Sequence, residues 1–471
     1  MLRIHNTLSK QLEKFTPQEE THVSFYHCGP TVYWVQHIGN MRGMTMADLI
    51  RRSLEYLGYN VDFVRNYTDV GHLTSDEDEG EDKMEKGAKR EGKTPEEIAA
   101  KYIKLFEHDI QSLNHLTLKS RFKPTATDYI PQMISMVEEL LENGFAYTTP
   151  KAIYFDVQKK KDYTKLSRQK LEFNKSGAGT GDVADPDKRN PQDFAVWFFK
   201  TGVHKNALQT WKSPFNSPEV EDGEGFPGWH IECSAMSRAL LGDTLDIHMG
   251  GIEHIPVHHT NEIAQSESAT GKTFVNYWIH NEHLTVDGAK MAKSSGTSYS
   301  LSDITDKGFE PLVLRYFFLN SHYRSKQNFT WEALEAAKIS LERLTSRVRE
   351  LNNEKPGEID QTTNQKFISA IEDDFNIPEA LAVSWELLKS DLDDATKLAT
   401  ILKFDEVLGL KLSETTPRSP ALLPKEALKL LDKRLDARKN KNWDLSDTLR
   451  DQLKEEFGIE VKDTEEGQVI G

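Results

Sequence analysis

Only two cysteines occur in 471 residues, Cys28 and Cys233. A disulfide framework is therefore excluded, and a reducing cytoplasm is the expected compartment. No window of eighteen uncharged apolar residues exists, which excludes a membrane-spanning helix. The opening stretch MLRIHNTLSKQLEKF lacks the apolar centre of a signal peptide. Positive charge is also in short supply: 59 Lys and Arg stand against 75 Asp and Glu, a net charge of -16. Wholesale coating of nucleic acid is thereby excluded, and any phosphate contact is confined to a local patch. The chain also has no internal repeat and no low-complexity tract.

What is present suits a soluble protein of two or three domains, since 471 residues exceed what one hydrophobic core usually supports. VSFYHCG, residues 23 to 29, reads as a strand, and a helical pattern follows from about residue 41, with Ile50, Leu54 and Leu57 on one face. A second strand is expected at about 60 to 67, so the chain opens as a βαβ unit. Thr94, Pro95 and Glu97 form an N-cap, N1 proline and capping-box set that predicts a helix from 95 to about 114. A further helix is expected to end at Gly144. From about 146 to 230 the chain is rich in Gly, Pro, Asn and Trp, with short extended runs, and reads as an insertion in the α/β region. NYWIHNEHLTVDG, 276 to 288, returns to strand character. Beyond Trp331 the composition is helix-forming, and a proline-rich break at 414 to 424 sets off the last fifty or so residues. The acidic run DEDEGED at 76 to 82 reads as a solvated loop.

Two short motifs bear on phosphate chemistry. His37, Gly39 and Asn40 lie where the first strand turns into a helix, where free backbone N-H groups and the helix dipole favour an anion. Gly39 lets a nucleotide approach the backbone. Lys290-Met291-Ala292-Lys293-Ser294-Ser295-Gly296 brings two ammonium groups to a run of small polar residues, a composition suited to polyphosphate. Either motif alone is a weak signal, since a capping Asn or two lysines in a solvated loop are commonplace. The two together, some 250 residues apart, are much more specific.

Both cysteines also fall in suggestive company. Cys28 precedes the HIGN stretch, Cys233 ends GWHIEC, and His258 and Glu262 stand at i and i+4 of a helical stretch, facing one side. Two thiolates, an imidazole and a carboxylate compose a zinc set. His259, at i+3 from Glu262, competes for the imidazole position.

HIGN and KMAKS resemble the H-I-G-H and K-M-S-K-S signatures of the class I aminoacyl-tRNA synthetases. CGPTVY, HIGN, RNYTDV, GWHIECSAM, HHTNEIAQSE, KMAKSSG and DDFNIPEA are similar, in this order, to the landmarks of the cysteinyl-tRNA synthetase family, and the likeness runs from residue 1 to about 463. The resemblance implies an α/β fold with a Rossmann-type parallel-sheet catalytic domain at 1–320, carrying the insertion at about 146–230. A stem-contact and helical bundle domain at 321–420 and a small anticodon-binding domain at 421–471 would follow. The implied reaction joins cysteine to tRNA(Cys) through a cysteinyl-adenylate, with ATP as substrate together with Mg2+. Carried over residue by residue, the ligands of one Zn2+ per chain are Cys28, Cys233, His258 and Glu262. Gly29, Thr31, Thr68 and Trp229 contact the substrate cysteine. His37, Gly39, Asn40, Gly250, Gly251, Glu253 and Lys293 bind ATP, and His37, Asn40, Lys290 and Lys293 are catalytic. Arg438, Trp443, Asp447 and Asp463 are the anticodon candidates, in or near the basic stretch 429 to 441. The expected partners are tRNA(Cys), cysteine and ATP, with no membrane, and a monomer is favoured over a dimer.

Zinc suits this substrate, because a cysteine thiolate bonds it through sulfur at about 2.3 Å whereas a serine hydroxyl is far more basic and a harder donor. Steric fit alone separates such near-isosteres by only about 10 to 200-fold. The sequence departs from the family pattern at Asn40 for a second His, Ala292 for a Ser and Glu253 for an Asp, which bears on rate more than on reaction type. It also ends at Gly471 without the basic tail of many relatives, so part of the RNA contact is expected to be missing. The rival readings are a cysteine ligase of the mycothiol-pathway type, which lacks a full anticodon-reading domain, and a non-catalytic paralogue that binds tRNA or nucleotide.

Overall fold

An apolar, aromatic run buried on both faces is what a central parallel strand requires, and HVSFYH supplies it. In the computed structural model, a hairpin of β1 (Arg3–Asn6) and β2 (Gln11–Lys14) leads into that strand, β3 (His22–His27). Residues 1–71, 83–169, 185–291, 297–351, 355–414, 425–457, 459, 461–464 and 467–470 are described. Lys293, the other residues of its motif from Ala292 to Gly296, and the acidic run at 76 to 82 lie outside them. The chain divides into two units, Met1–Leu334 with Ile368–Ala380, and Glu335–Phe367 with Leu381–Gly471.

In the first unit, α1 (Ile38–Tyr56) follows β3 and leads to β4 (Asn60–Arg65). The helix starts three residues earlier than its apolar periodicity predicts, because His37 caps it: the His37 ring Nδ1 accepts the Asn40 N-H at 3.2 Å. Asn40 is thus the third residue inside the helix and not its cap. β4 stops short of the expected 67, since Tyr67 and Thr68 pair instead with Thr125 and Thr31. Then come α2 (Lys83–Glu91) and α3 (Pro95–Ser112), the latter with the expected capping box of Thr94 and Glu97, and α4 (Ile130–Glu142), which ends just before Gly144. Residues 146 to 227 carry an antiparallel sheet, in order β5 (Ala146–Thr148), β6 (Ala152–Phe155), β7 (Phe194–Phe199), β8 (Gly225–Pro227). Helix α5 (Trp229–Leu241) leads back to β9 (Leu245–Gly251), α6 (His258–Thr270) and β10 (Val275–Asn281).

Among the described residues the parallel sheet has the order β10, β9, β3, β4. The chain steps from β3 to one side, then returns to the other side with β9, so the order reverses at β3. Open α/β sheets bind ligands outside the carboxyl ends of their strands at such a reversal, and here Cys28 is the first residue past the end of β3. The core beneath is continuous with that point: Tyr26, Cys28, Val64, Phe155, Trp197, Cys233 and Trp278 share one buried cluster. The short strands β11 (Leu284–Val286) and β12 (Ala289–Lys290) form a hairpin, joined after α7 (Leu301–Asp306) and α8 (Pro311–Leu319) by β13 (Gln327–Phe329). Buried Arg42 of α1 ties this region down, donating to Gln327 Oε1 and to the carbonyls of His322 and Ser325.

Helices α9 (Trp331–Leu351), α10 (Gln361–Glu372), α11 (Ile377–Lys389) and α12 (Asp394–Leu408) carry the chain onward. In the second unit the Phe367 and Phe404 rings stack at 4.1 Å. Its last part pairs α13 (Lys425–Lys439) with α14 (Trp443–Phe457) and a hairpin of β14 (Val461–Thr464) and β15 (Gly467–Ile470), around Ala427, Leu431, Leu453, Ile459 and Val461. The α/β reading with a parallel sheet followed by a helical C-terminal region holds. Among the described residues no helix is long and apolar enough to cross a membrane.

Candidate active site and metal centre

The carboxyl ends of β3, β4, β9 and β10 open onto a cavity of about 160 Å³. Its wall includes Cys28, Gly29, Thr31, Gly39, Asn40, Thr68, Trp229, Cys233, Gly250, Gly251, Glu253 and His258. Residues separated by more than two hundred positions thus meet at one crevice. A larger hollow of about 390 Å³ lies at the opposite strand ends, among Glu19, Asp62, Asp243, Asp246 and Lys272. Its buried carboxylate, Asp246, is already taken by the Ser24 hydroxyl and the Ser24 and Gln18 amides, so the chemistry points to the first cavity.

The cavity floor brings together the four proposed metal ligands. One ligand atom from each of Cys28, Cys233, His258 and Glu262 lies within 4.8 Å of every other, and all four residues are buried. The two sulfurs are 4.0 Å apart, and His258 Nε2 lies 3.0 Å from Glu262 Oε1, as the i,i+4 spacing on α6 requires. Burial pushes the Cys28 thiol up, whereas the hydrogen bond from Cys28 brings the Cys233 thiol down. Burial also pushes the Glu262 carboxyl well above the usual range, and its Oε2 has no hydrogen-bond partner. An unsatisfied buried carboxylate oxygen beside two thiols and an imidazole is the donor set that a borderline-soft cation completes. The competing His259 also reaches this group: its Nε2 lies 3.4 Å from Cys28 Sγ and 3.9 Å from Glu262 Oε1.

Around this floor, Gly29 donates its N-H to Asn66 Oδ1, and a Cβ at Gly29 would sit 1.7 Å from the Asn66 carbonyl oxygen, so only glycine fits. The Thr68 hydroxyl donates to buried Glu232 at 3.0 Å, and the Thr68 N-H bonds the Pro30 carbonyl, next to Thr31. Trp229, the first residue of α5, lies with its ring 4.5 Å from that of His258, and Lys83 Nζ stands over the Trp229 ring at 5.5 Å from its centre.

The phosphate motifs also converge. Ile38 donates to the Tyr299 carbonyl, and Met291 reaches Gly39 so closely that a Cβ there would meet its Cε at 2.1 Å. Lys290 ends β12 beside it and is exposed, while Lys293 lies outside the described residues. Gly250 and Gly251 end β9 at the cavity, and Glu253 carries its carboxylate 3.6 Å from the His283 ring.

The anticodon candidates form a separate cluster. Asp463 accepts two hydrogen bonds at 2.9 Å from fully buried Arg434 and one contact at 2.7 Å from Arg438. The Arg438 guanidinium sits 5.3 Å from the Trp443 ring centre, and Trp443 is 54% exposed. Asp447 pairs with Arg450 at 3.0 Å.

Sequence reasoning did not single out Asn66, Glu232, His280, Asn281 or Arg434, and it read His248 only as the start of the stretch whose Gly250, Gly251 and Glu253 are assigned to ATP. Their signal is burial of a polar group, which a single sequence does not display. His248 instead points its Nε2 to within 3.4 Å of Cys28 Sγ.

Comparison with known proteins agrees with this geometry. Residues 14–339 match the family described as tRNA synthetases class I (C) catalytic domain, and residues 421–470 match the cysteinyl-tRNA ligase anticodon binding domain. The Treponema denticola cysteine-tRNA ligase is 42% identical over 98% of this chain and 98% of its own. Cysteine-tRNA ligase 1 of Burkholderia lata is 44% identical over 99% of this chain and 96% of its own. Among solved structures, Mycobacterium tuberculosis methionyl-tRNA synthetase in complex with methionyl-adenylate is similar with a TM-score of 0.53 at 14% identity, covering 87% of this chain and 94% of that one. An Agrobacterium radiobacter LeuRS complex reaches 0.58 at 11% identity, covering 85% of each chain. These two likenesses bear on the fold alone. On the full-length matches to its relatives, the chain belongs to the cysteine-tRNA ligase family.

Proposed function

We propose that this protein joins cysteine to tRNA(Cys) with ATP, in two steps at the cavity between the parallel strands. The observation that carries the reading is the buried set of Cys28, Cys233, His258 and Glu262 on the floor of a cavity whose rim bears Gly39 and Asn40, on the helix that His37 caps.

In the first step the cysteine carboxylate, already ionised at neutral pH, attacks the α-phosphorus of ATP, forming a carboxyl-phosphate bond and releasing pyrophosphate. In the second, a ribose hydroxyl at the tRNA terminus attacks the acyl carbon, and AMP leaves. Neither step needs a strong base, so the protein's task is positioning and charge stabilisation. His37 and the positive N-terminal end of the α1 dipole receive phosphate oxygens, the Asn40 side chain donates one hydrogen bond without charge, and Lys290 and Lys293 meet the charge that grows on the leaving pyrophosphate. Mg2+ accompanies the nucleotide. Gly250 and Gly251 admit the adenosine close to the backbone, with Glu253 beside them.

Cys28, Cys233, His258 and Glu262 would hold one Zn2+, whose chemistry when bound is to accept a substrate sulfur as thiolate. Gly29, Thr31, Thr68 and Trp229 then orient the amino acid, and Glu232 fixes the Thr68 hydroxyl by accepting its hydrogen bond. Serine gains little at a sulfur-selecting floor, so no second hydrolytic site is required. The domain reading goes with this: catalysis at 1–320, stem contact in the helices of 321–420, and anticodon contact by Arg438, Trp443, Asp447 and Asp463 within 421–471.

The deciding experiment is charging of tRNA(Cys) by the purified protein with ATP and cysteine, with serine as control. Cysteine charging without serine charging is the expected outcome. Cysteine-dependent pyrophosphate exchange without tRNA charging would turn the reading towards a ligase that passes cysteine to an amino sugar. Neither activity would leave a nucleotide-binding or tRNA-binding paralogue. The match of 421–470 to an anticodon binding domain supports the first outcome.

A further inference from the structure

The floor of the cavity holds two tetrads, and they share an edge. Cys28 and Glu262 belong to both; one tetrad adds Cys233 and His258, the other adds His248 and His259. We infer that the second tetrad is an inner position for a zinc-class divalent ion, held by Cys28 Sγ, His248 Nε2, His259 Nε2 and a Glu262 oxygen. The inference rests on the metal reading of Cys28 and Glu262 given above.

Geometry carries it. Metal bonds of about 2.0 to 2.3 Å in a tetrahedron place neighbouring ligand atoms about 3.3 to 3.8 Å apart. In the inner tetrad Cys28 Sγ lies 3.4 Å from both His248 Nε2 and His259 Nε2, His248 Nε2 lies 3.6 Å from Glu262 Oε2, and His259 Nε2 lies 3.9 Å from Glu262 Oε1. The outer tetrad is less regular, with 4.0 Å between sulfurs and 3.0 Å between His258 and Glu262. His248, His259 and Glu262 are fully buried, and Glu262 Oε2, which faces His248, has no hydrogen-bond partner.

One imidazole of the inner tetrad, His259, also has the outer-shell support that a metal-binding imidazole usually shows, whereas His248 Nδ1 has no hydrogen-bond partner. His259 Nδ1 is 2.7 Å from His280 Nε2, and His280 Nδ1 is 2.8 Å from the Thr7 hydroxyl. That chain fixes the ring with Nε2 turned towards Cys28.

The two positions differ in what they face. Cys28, Cys233 and His258 line the substrate cavity, whereas His248 and His259 lie behind that wall. An ion at the outer position can take a substrate sulfur; one at the inner position cannot. Because the edge of Cys28 and Glu262 is common, an ion passes inward by exchanging Cys233 and His258 for two imidazoles without leaving the protein. The inner tetrad is a parking position, in which the ion is retained while the outer, substrate-facing position is free of metal.

The test uses the full chain and Co2+ as the probe, read by metal content and by thiolate-to-cobalt charge-transfer absorption. In the otherwise unaltered chain one Co2+ with the absorption of two thiolates is expected. A Cys233→Ser, His258→Ala variant is expected to keep about one Co2+ at about half that absorption, and further His248→Ala and His259→Ala changes should abolish binding. A folded Cys233→Ser, His258→Ala variant that binds no Co2+, or one whose binding survives loss of both inner histidines, overturns the inference while leaving the outer metal site standing. Failure of the unaltered chain to bind Co2+ overturns the metal reading itself. Should the Cys233→Ser, His258→Ala variant not fold, release of Co2+ to a chelator decides: His248→Gln, His259→Gln in the intact background is expected to speed it about tenfold, and an unchanged rate overturns the inner position.

Discussion

The cavity floor and the cluster around Asp463 both gather ionisable side chains, and they handle charge in opposite ways. Glu262 is fully buried against thiols and imidazoles, its carboxyl is pushed up by burial, and one of its oxygens has no hydrogen bond. Asp463 is partly exposed, takes the guanidinium groups of Arg434 and Arg438, and is held below the usual carboxylate range chiefly by the hydrogen bond from Arg434. A buried acidic group without a countercharge is costly and persists where a ligand supplies the missing charge. One already neutralised by its own protein is structural, and what such a cluster offers a partner is its exposed surface. In the second cluster that surface is Trp443, with Arg438 beside it, a planar group of the kind on which a splayed base stacks.

Removing the shared metal ligand should break this contrast most completely. Cys28→Ser takes the one thiol common to both tetrads, so metal content is expected to fall to background and cysteine-dependent pyrophosphate exchange to drop by about 1,000-fold or more. Metal binding at about 1,000 times its dissociation constant contributes about 4 kcal/mol to stability, so stripping metal with a chelator should lower the melting temperature of the unaltered chain but not of Cys28→Ser. Retained metal and exchange in Cys28→Ser would mean that the floor is an ordinary buried cluster.

Lys293→Ala comes next. It is expected to reduce exchange by about 100 to 1,000-fold, the loss typical of one charge-stabilising group, with metal content unchanged; near-normal exchange would remove Lys293 from the catalytic set. Gly29→Ala acts through packing. Its Cβ would be driven into the Asn66 carbonyl, so a loss of about 1 to 3 kcal/mol of stability is expected, seen as a lowered melting temperature with a raised KM for cysteine. A variant as stable as its parent would show that this turn can open.

Much of this was readable in advance, for physical reasons that differ from place to place. The βαβ opening was legible because β3 and α1 carry contrasting apolar periods, and α3 because Thr94, Pro95 and Glu97 cap it in a pattern that depends on local sequence alone. The start of α1 was misread by three residues because His37, an uncommon cap, takes the role that Asn40 suggests. Cys28, Cys233, His258 and Glu262 were legible only as a set, through resemblance, since nothing local distinguishes a ligand cysteine from a buried apolar one. Of the inner histidines, His259 was legible as the rival imidazole on the helix of Glu262, whereas His248 was not legible as a ligand. His248, His259 and His280 come from two strands and a helix, and only the parallel order β10, β9, β3 brings their rings to one place. Arg434 was hidden in a basic run whose other members are mostly solvated; its difference is that it alone is fully buried.

The smallest expected effect tests the other side of the comparison. Asp463→Asn should leave pyrophosphate exchange unchanged, because the cavity is untouched, while raising the KM for tRNA a few-fold through loosening of Arg438 beside Trp443. Solvent screening limits the stability loss to about 1 kcal/mol or less. Its pH dependence has a definite sign. The Asp463 carboxyl titrates below its ordinary 3.8 in the folded chain, so its ion pairs stabilise fully above that value and are lost as pH falls through the lowered one. The melting temperatures of the parent and Asp463→Asn should therefore differ near pH 6 and converge as the pH is brought below about 4. A gap that persists at low pH would assign the effect to packing of the hairpin, and a loss of exchange in the same variant would tie this cluster to the chemistry after all.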